Sequence, residues 1–340
     1  MKIAIHHTGR IYSSYWIKYC DENHIDYKIV NAYANDIINQ VEDCDIFMWH
    51  YSQDSAVDMN FAKQLLFTLQ QIGKIVFPDF NTGWHFDDKL GQKYLFEALG
   101  IPIAPSYAFY SKVDALFWAK TTEYPKVFKL RGGAGSSNVR LITNYKQCCK
   151  YIHKAFGRGF KAFDRWEYIA NIIRLYKTGT ATKRDCYKGL GALILSPKKS
   201  RLPRQRDYIY FQDFIPNQGF DYRVEICGDK CIAMIRTCRK GDFRASGAHQ
   251  DNFDWRNIPR DVIEFAFNVA NKLGAQSCAL DIVRSKETNK LYLLESSYCY
   301  GVDIDEFNHG YWREDGWYNE EFNGLYWMIE YVIKQYQNLK

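Results

Sequence analysis

The sequence predicts an α/β protein, a small parallel-sheet domain followed by two α+β lobes. Three observations carry this. Short apolar runs alternate with helical periodicity from Lys2 to Phe80. A lysine-bearing strand then opens into a glycine-serine loop and a second strand, in "VFKLRGGAGSSNVRLI", Val127–Ile142. Near the end, the paired strands "ALDIV" and "LLESS" carry single acids inside apolar runs. A chain of 340 residues is too long for one ordinary core and should hold two or three packed units.

The elements follow in order. "KIAIHH" reads as a buried strand, "SSYWIKYCDEN" as a helix, and "DYKIVNA" and "DIFMWHYS" as further strands. "DSAVDMNFAKQLLFTLQQIG" places Val57, Phe61, Leu65, Leu69 and Ile72 on one helical face and stops at Gly73; "KIVFPDF" is the fourth strand. This order predicts a parallel sheet with helices on both faces, and ligands bind at the carboxyl ends of such strands. Those ends carry His6, His7, Thr8, Arg10, Trp49, His50 and Tyr51. Asp87 or Asp88 can cap the next helix, with Leu90, Tyr94, Leu95 and Leu99 as its apolar face and Gly100 as its stop. "YPKVFKL" and "NVRLI" read as an antiparallel pair and "YKQCCKYIHKAF" as a helix. "YIYFQDFI" is a strand, and "DYRVEICGDKCIAMIRTC" is two strands turned at Gly228–Asp229. A helix is expected from about Pro259 to Leu273, then a hairpin of "SCALDIVRS" and "KLYLLESS". A closing helix aligns Phe322, Leu325, Ile329, Val332, Ile333 and Tyr336. The expected units are residues 1–85, 86–210 and 211–340.

Composition excludes several classes. Apolar residues make up 47%, which argues against wholesale disorder. No apolar run reaches membrane-spanning length, and "MKIAIHHTGR" lacks the apolar core of a signal peptide. None of the ten cysteines forms a C-x-x-C pair, so they read as reduced, mostly buried thiols of a cytoplasmic protein. The net charge of +6 is concentrated: from Ile152 to Arg206, 14 Lys or Arg stand against three acids. Such a segment, the basic insertion 152–206, suits an acidic polymer, or it is a solvated insertion with no partner. The sequence is compatible with a homo-oligomer.

The glycine-serine loop raises a chemical question. A P-loop places its lysine after the glycines, and here Lys129 comes first. The remaining parts of an ATP site are present in order. Lys89 and Lys129 can reach phosphate oxygens, and Gly132, Gly133, Gly135, Ser136 and Ser137 can present backbone N–H groups. "FQDFI" offers a strand edge to adenine, and Asp221 can accept from ribose hydroxyls. Asp281 and Glu295 lie on the two strands of a hairpin and can converge on Mg2+ or Mn2+, which favour oxygen ligands. Asp281 could instead pair with Arg284, and Glu295 could be a sheet-edge charge. A buried Arg236 would need a partner.

In "FNTGWHFDDK", "LGIPIAPSY", "VFKLRGGAGSSNV", "FQDFI", "DYRV", "AMIRTCRKGDFRASG", "ALDIV" and "LLESSYCYG", the chain resembles the ATP-grasp superfamily. The similarity is to its glutathione synthetase and ribosomal-protein glutamate ligase branch, over about Asn81 to Gly301. The resemblance implies an ATP-grasp fold with a small N-terminal Rossmann-like domain, in which the glycine loop closes on the triphosphate. It implies that Lys89 and Lys129 bind phosphates and that Gln212, Asp213, Phe214 and Ile215 form the adenine hinge. Asp221 would bind ribose, Arg236 and Arg244 phosphate and substrate carboxylate, and Asp281 and Glu295 magnesium. Ser297 stands where the family usually has a metal-binding asparagine, and Ser246 where this branch often has asparagine. His6, His7, Arg10, Trp49, His50 and Ser246 are candidate substrate contacts.

The expected activity is an ATP- and Mg-dependent, ADP-forming carboxylate–amine or carboxylate–thiol ligase working through an acyl phosphate, on an acidic glycan or a peptide acceptor. Two alternatives stand beside it. One is an ATP-grasp kinase acting on a hydroxyl. The other is a non-catalytic, ATP-responsive binder of an acidic polymer.

Overall fold

The computed structural model describes residues 1–133, 138–161, 203–238, 251–301 and 310–339, with 169, 172, 173 and 176. The first unit alternates β1 (Lys2–His6), α1 (Ile11–Glu22), β2 (Asp26–Val30), α2 (Ile37–Gln40), β3 (Ile46–Met48), α3 (Ala56–Gln71) and β4 (Ile75–Phe77). Its four strands pair in parallel in the order β2-β1-β3-β4. The apolar runs of β1 and β3 are buried throughout except at Lys2, as expected for strands covered on both faces.

The short helix α4 (Phe80–Gly83) and α5 (Lys89–Ala98) lead into a second sheet. Its strands are β5 (Ser106–Phe109), β6 (Lys126–Lys129), β7 (Arg140–Ile142) and β8 (Ile209–Asp213), in the order β5-β8-β6-β7. The pairs are antiparallel, and α6 (Lys112–Thr121) and α7 (Tyr145–Ala155) share a core with this sheet. Helix starts are set by side chains: Asp88 accepts from the N–H of Gly91 at 2.9 Å and so opens α5.

The third sheet holds β9 (Phe220–Cys227), β10 (Lys230–Thr237), β11 (Asp251–Asn252), β12 (Ser277–Arg284), β13 (Leu291–Ser297), β14 (Tyr311–Arg313) and β15 (Gly316–Tyr318). The order is β13-β12-β9-β10-β14-β15, with β11 on β10. On one face, α8 (Arg260–Leu273) buries Val262, Ala266, Val269 and Leu273, the stripe its periodicity predicts; Gly274 ends it at φ +60°. The last helix, α9 (Trp327–Asn338), packs on β4 and joins the core of the first sheet.

Two predicted helix faces are corrected. In α3 the buried residues are Asp58, Ala62, Leu65, Leu66 and Leu69, while Val57 and Ile72 are more than half exposed. Asp58 takes the inward place because its carboxylate accepts from Tyr33 Oη at 2.6 Å and the N–H of Ser52 at 2.9 Å. In α5 the inward residues are Lys89, Leu90, Gln92 and Phe96, and Tyr94 points out to meet Tyr110 Oη at 3.0 Å. The closing helix starts at Trp327, so Phe322 and Leu325 precede it; Phe322 stacks on Trp327 at 4.7 Å. The nine described cysteines are free thiols; Cys186 lies outside the described residues. No helix among the described residues is long and apolar enough to cross a membrane.

Hydrogen bonds tie the first unit to the segment after β13. Tyr298 Oη donates to the carbonyl of Tyr51 at 2.6 Å, and Tyr12 Oη to that of Tyr300 at 3.0 Å. Tyr298 and Tyr300 are core residues. Tyr298→Phe leaves the Tyr51 carbonyl buried without this donor and is expected to cost about 1–3 kcal/mol. A urea midpoint equal to that of the parent protein would contradict the clamp.

Candidate active site

The second and third sheets face each other across a cavity of about 300 Å³. Its floor is one face of four neighbouring strands. Register places Arg236 of β10 beside Asp221 of β9, Arg223 of β9 beside Asp281 of β12, and Asp281 beside Glu295 of β13. Alternation along β9 puts Asp221, Arg223 and Glu225 on the same side. A register shift at Asp281/Ile282 interrupts the β12–β13 ladder beside the two acids.

The floor is a ladder of ion pairs. Arg236 binds Asp221 through both carboxylate oxygens, at 2.8 and 2.9 Å, and reaches Asp281 Oδ2 at 2.9 Å. Arg223 Nη1 donates to Asp281 Oδ1 at 2.9 Å and Nε to Glu225 Oε1 at 2.9 Å. Asp281 therefore does not pair with Arg284, which binds Asp261. Burial by itself would raise the carboxyl of Asp281, but the two guanidiniums outweigh it and hold the group low. Burial lifts the carboxyl of Asp221 above its ordinary value, against the pull of Arg236.

The roof comes from β6, β8 and the start of α5. Lys129 Nζ donates to Gln212 Oε1 at 2.7 Å. Burial pushes its ammonium down to about 8, against the attraction of Glu295. Lys89 Nζ donates to Glu295 Oε1 at 2.9 Å and to the carbonyl of Gly133 at 3.1 Å. Burial opposes its charge, but Glu295 and Asp87 prevail and raise it. The base of the glycine loop is fastened to α5. The N–H of Gly133 donates to Asp87 Oδ1 at 2.7 Å, that of Lys89 to the Arg131 carbonyl at 2.8 Å, and the Arg131 guanidinium binds Asp88. Gly133 has φ +125°, a conformation that favours glycine, and a Cβ on Gly132 would stand 2.9 Å from Asp87 Oδ2, so that carboxylate would have to shift.

The segment expected as the hinge continues β8. Gln212 is registered with Ser106 on one side and Val127 on the other, and the N–H of Asp213 goes to the carbonyl of Pro105. β8 ends at Asp213, and Phe214 and Ile215 beyond it line the cavity.

The cavity thus gathers Lys89, Lys129, Gly133, Gln212, Asp213, Phe214, Ile215, Asp221, Arg236, Asp281, Glu295 and Ser297, and Gly132 adjoins it through Asp87. Gly135, Ser136, Ser137, Arg244, Ser246 and most of the basic insertion lie outside the described residues. The strand-end group is not among the lining residues. His6 is buried against Trp49 and Tyr33, with ring centroids at 5.0 Å in both cases; His7 and Arg10 are exposed. His50 stacks on Tyr12 at 4.2 Å, and burial pushes it down to about 3; it sits behind the lining residue Cys299, whose Sγ is 3.9 Å from its Nδ1. Sequence reasoning missed Gln53, Asp87, Arg223 and Cys299, which also line the cavity. The signal for Arg223 was the alternation of charge in "FDYRVE".

The donor set fits a hard dication. Asp281, Glu295 and Ser297 line one stretch of the cavity with oxygen groups. Among the described residues no three acidic, His or Cys side chains form a ready cage. Two carboxylates suit Mg2+, which is commonly held by one or two protein carboxylates together with substrate phosphates.

Residues 194–305 match the family described as RimK-like ATP-grasp domain. Over 297 residues the chain is 20% identical to the α-aminoadipate–LysW ligase LysX of Saccharolobus solfataricus, covering 84% of this chain and 89% of the relative. The solved D-alanine–D-alanine ligase of Bacillus anthracis, complexed with ATP, superposes with a TM-score of 0.54 at 12% identity, covering 100% of this chain and 98% of that one. The ATP-grasp ligase PsnB, complexed with a minimal precursor, gives 0.55 at 11% identity and 98% coverage of each chain. At these identities the structural likenesses speak for the fold. The chain thus has the ATP-grasp fold, and its residues 194–305 are similar to the RimK-like ATP-grasp domain. The relatives named above are ligases.

Proposed function

We propose that the protein joins a carboxylate to an amine at the expense of ATP, releasing ADP and phosphate. The observation that carries this reading is the convergence of the buried lysines Lys89 and Lys129, the arginines Arg223 and Arg236, and the carboxylates Asp281 and Glu295 on one cleft. Phosphoryl transfer asks the protein mainly to position and neutralise, and these groups do both. In this reading the units divide at residues 85/86 and 210/211. Adenine lies on Phe214 and Ile215 and the ribose beside Asp221. Lys89 and Lys129 hold the phosphates, with the glycine loop from Gly132 to Ser137 over them. Asp281 and Glu295, with Ser297, would hold magnesium, which would supply positive charge to the triphosphate.

The substrate carboxylate attacks the γ-phosphorus, and ADP leaves. The acyl phosphate then loses phosphate to the amine, forming the amide. Arg236, which lines the cavity, and Arg244, outside the described residues, are proposed to meet the developing charge. An ADP-release screen of carboxylate and amine pools, with mass detection of the product, tests the reading. ADP released with no condensed product would contradict it.

The acceptor is proposed to be acidic, on the strength of the 14 basic residues between Ile152 and Arg206. Lys183, Arg184, Lys198 and Lys199, which lie outside the described residues, make the test. Reversing all four to glutamate should leave ATP affinity unchanged and raise the acceptor KM. That penalty should shrink with added salt, because exposed charges are screened over about 8–10 Å. An unchanged KM at low salt would remove the polyanion from the proposal.

A further inference from the structure

Glu225 is the charge in this site that the chemistry above leaves unused. It is 2% exposed and does not line the cavity. Its Oε1 accepts from Arg223, and its Oε2 has no hydrogen-bond partner. A carboxylate in such a place is costly unless its charge is needed.

The ladder shows what needs it. Asp281 is shared by Arg223 and Arg236, and each of these arginines has a second acid. Arg236 keeps Asp221, bound through two hydrogen bonds. Arg223 keeps Glu225. Asp281 can therefore turn to another cation without leaving either guanidinium unpaired. Without Glu225, Arg223 would have Asp281 as its only acid in the ladder. Surrendering Asp281 would then strand a buried arginine, which is strongly unfavourable.

We propose that Glu225 is a positioning residue that holds Arg223 as a replaceable partner of Asp281, so that Asp281 can be released to a divalent cation. This rests on the reading of Asp281 as a metal-binding residue. Glu225 acts on the metal through Arg223, as outer carboxylates orient and tune metal ligands elsewhere.

The test is a titration of Mn2+ into the full-length protein with adenylyl imidodiphosphate, followed by electron paramagnetic resonance. Glu225→Leu is expected to raise the Mn2+ Kd by about tenfold or more, the range seen when outer-shell partners are removed. The double variant Glu225→Leu/Arg223→Met should recover tight binding, because the competing cation is gone. A purely structural role for Glu225 would not produce that recovery. An unchanged Kd in Glu225→Leu, or a double variant as weak as the single one, overturns the proposal. Asp281→Asn separates the two claims. If it leaves the Kd unchanged, the metal reading falls and this role with it. If it weakens Mn2+ binding while Glu225→Leu does not, the role of Glu225 alone falls. Should Glu225→Leu not fold, Glu225→Gln carries the same comparison.

Discussion

Asp281→Asn is expected to lower turnover by roughly a thousandfold or more, the several kcal/mol that a metal clamp contributes to a phosphoryl-transfer transition state. The fold should survive. Removing one partner of a buried ion pair commonly costs about 3–5 kcal/mol, because a charge is left uncompensated. Here Arg236 retains Asp221 and Arg223 retains Glu225, so the loss should fall below that range. Denaturant unfolding and ADP release on the same preparation separate the two effects. A variant that turns over at more than about a tenth of the parent rate would remove Asp281 from the metal site.

Lys129→Ala should weaken Mg·ATP binding by about a hundredfold, within the roughly 2–5 kcal/mol lost when one member of a buried charge pair is truncated. Lys129 is buried and its contact is a neutral amide, Gln212, so its charge is available to a polyanion. The same burial sets a pH dependence. The ammonium is lowered from 10.5 to about 8, so the free protein carries the charge at pH 7 and loses it as pH rises through 8. A bound triphosphate favours the charged form. Affinity is thus fully present below pH 8, and above it the Kd should rise by about tenfold per pH unit. Calorimetry between pH 7 and pH 9 checks this, with Lys129→Met as the control that should show no such slope. Equal affinities of parent and Lys129→Ala at pH 7 would contradict the assignment.

Much of this architecture was legible because local signals agreed with the fold. The Asp88 cap, the Gly100 and Gly274 stops and the Gly228–Asp229 turn are chemical punctuation and lie where the sequence places them. Large apolar residues misled where they face outward. On α6, Val113 and Phe117 are at least 70% exposed while Ala115 and Ala119 are buried, and this helix went unread. The β14–β15 hairpin was missed as well. Its aromatic pairs, Tyr311 with Tyr318 and Trp312 with Trp317, become a pattern only once the strands are in register.

The site divides in the same way. Lys89, Lys129, Asp281 and Glu295 could be read because their order along the chain follows the needs of a nucleotide. The ladder could not. Arg223 and Glu225 gain their meaning from Asp281, more than fifty residues later, and from strand registers that no single segment contains.

The central claim is that a carboxylate is activated by phosphorylation in this cleft. Trapping with hydroxylamine tests it most directly. The protein is incubated with Mg·ATP and the carboxylate that stimulates ADP release, without an amine acceptor. The account predicts a hydroxamate of that carboxylate in amounts matching the ADP formed. ADP formation accompanied by a stable phosphoester and no hydroxamate would contradict it and assign the cleft to phosphorylation of a hydroxyl.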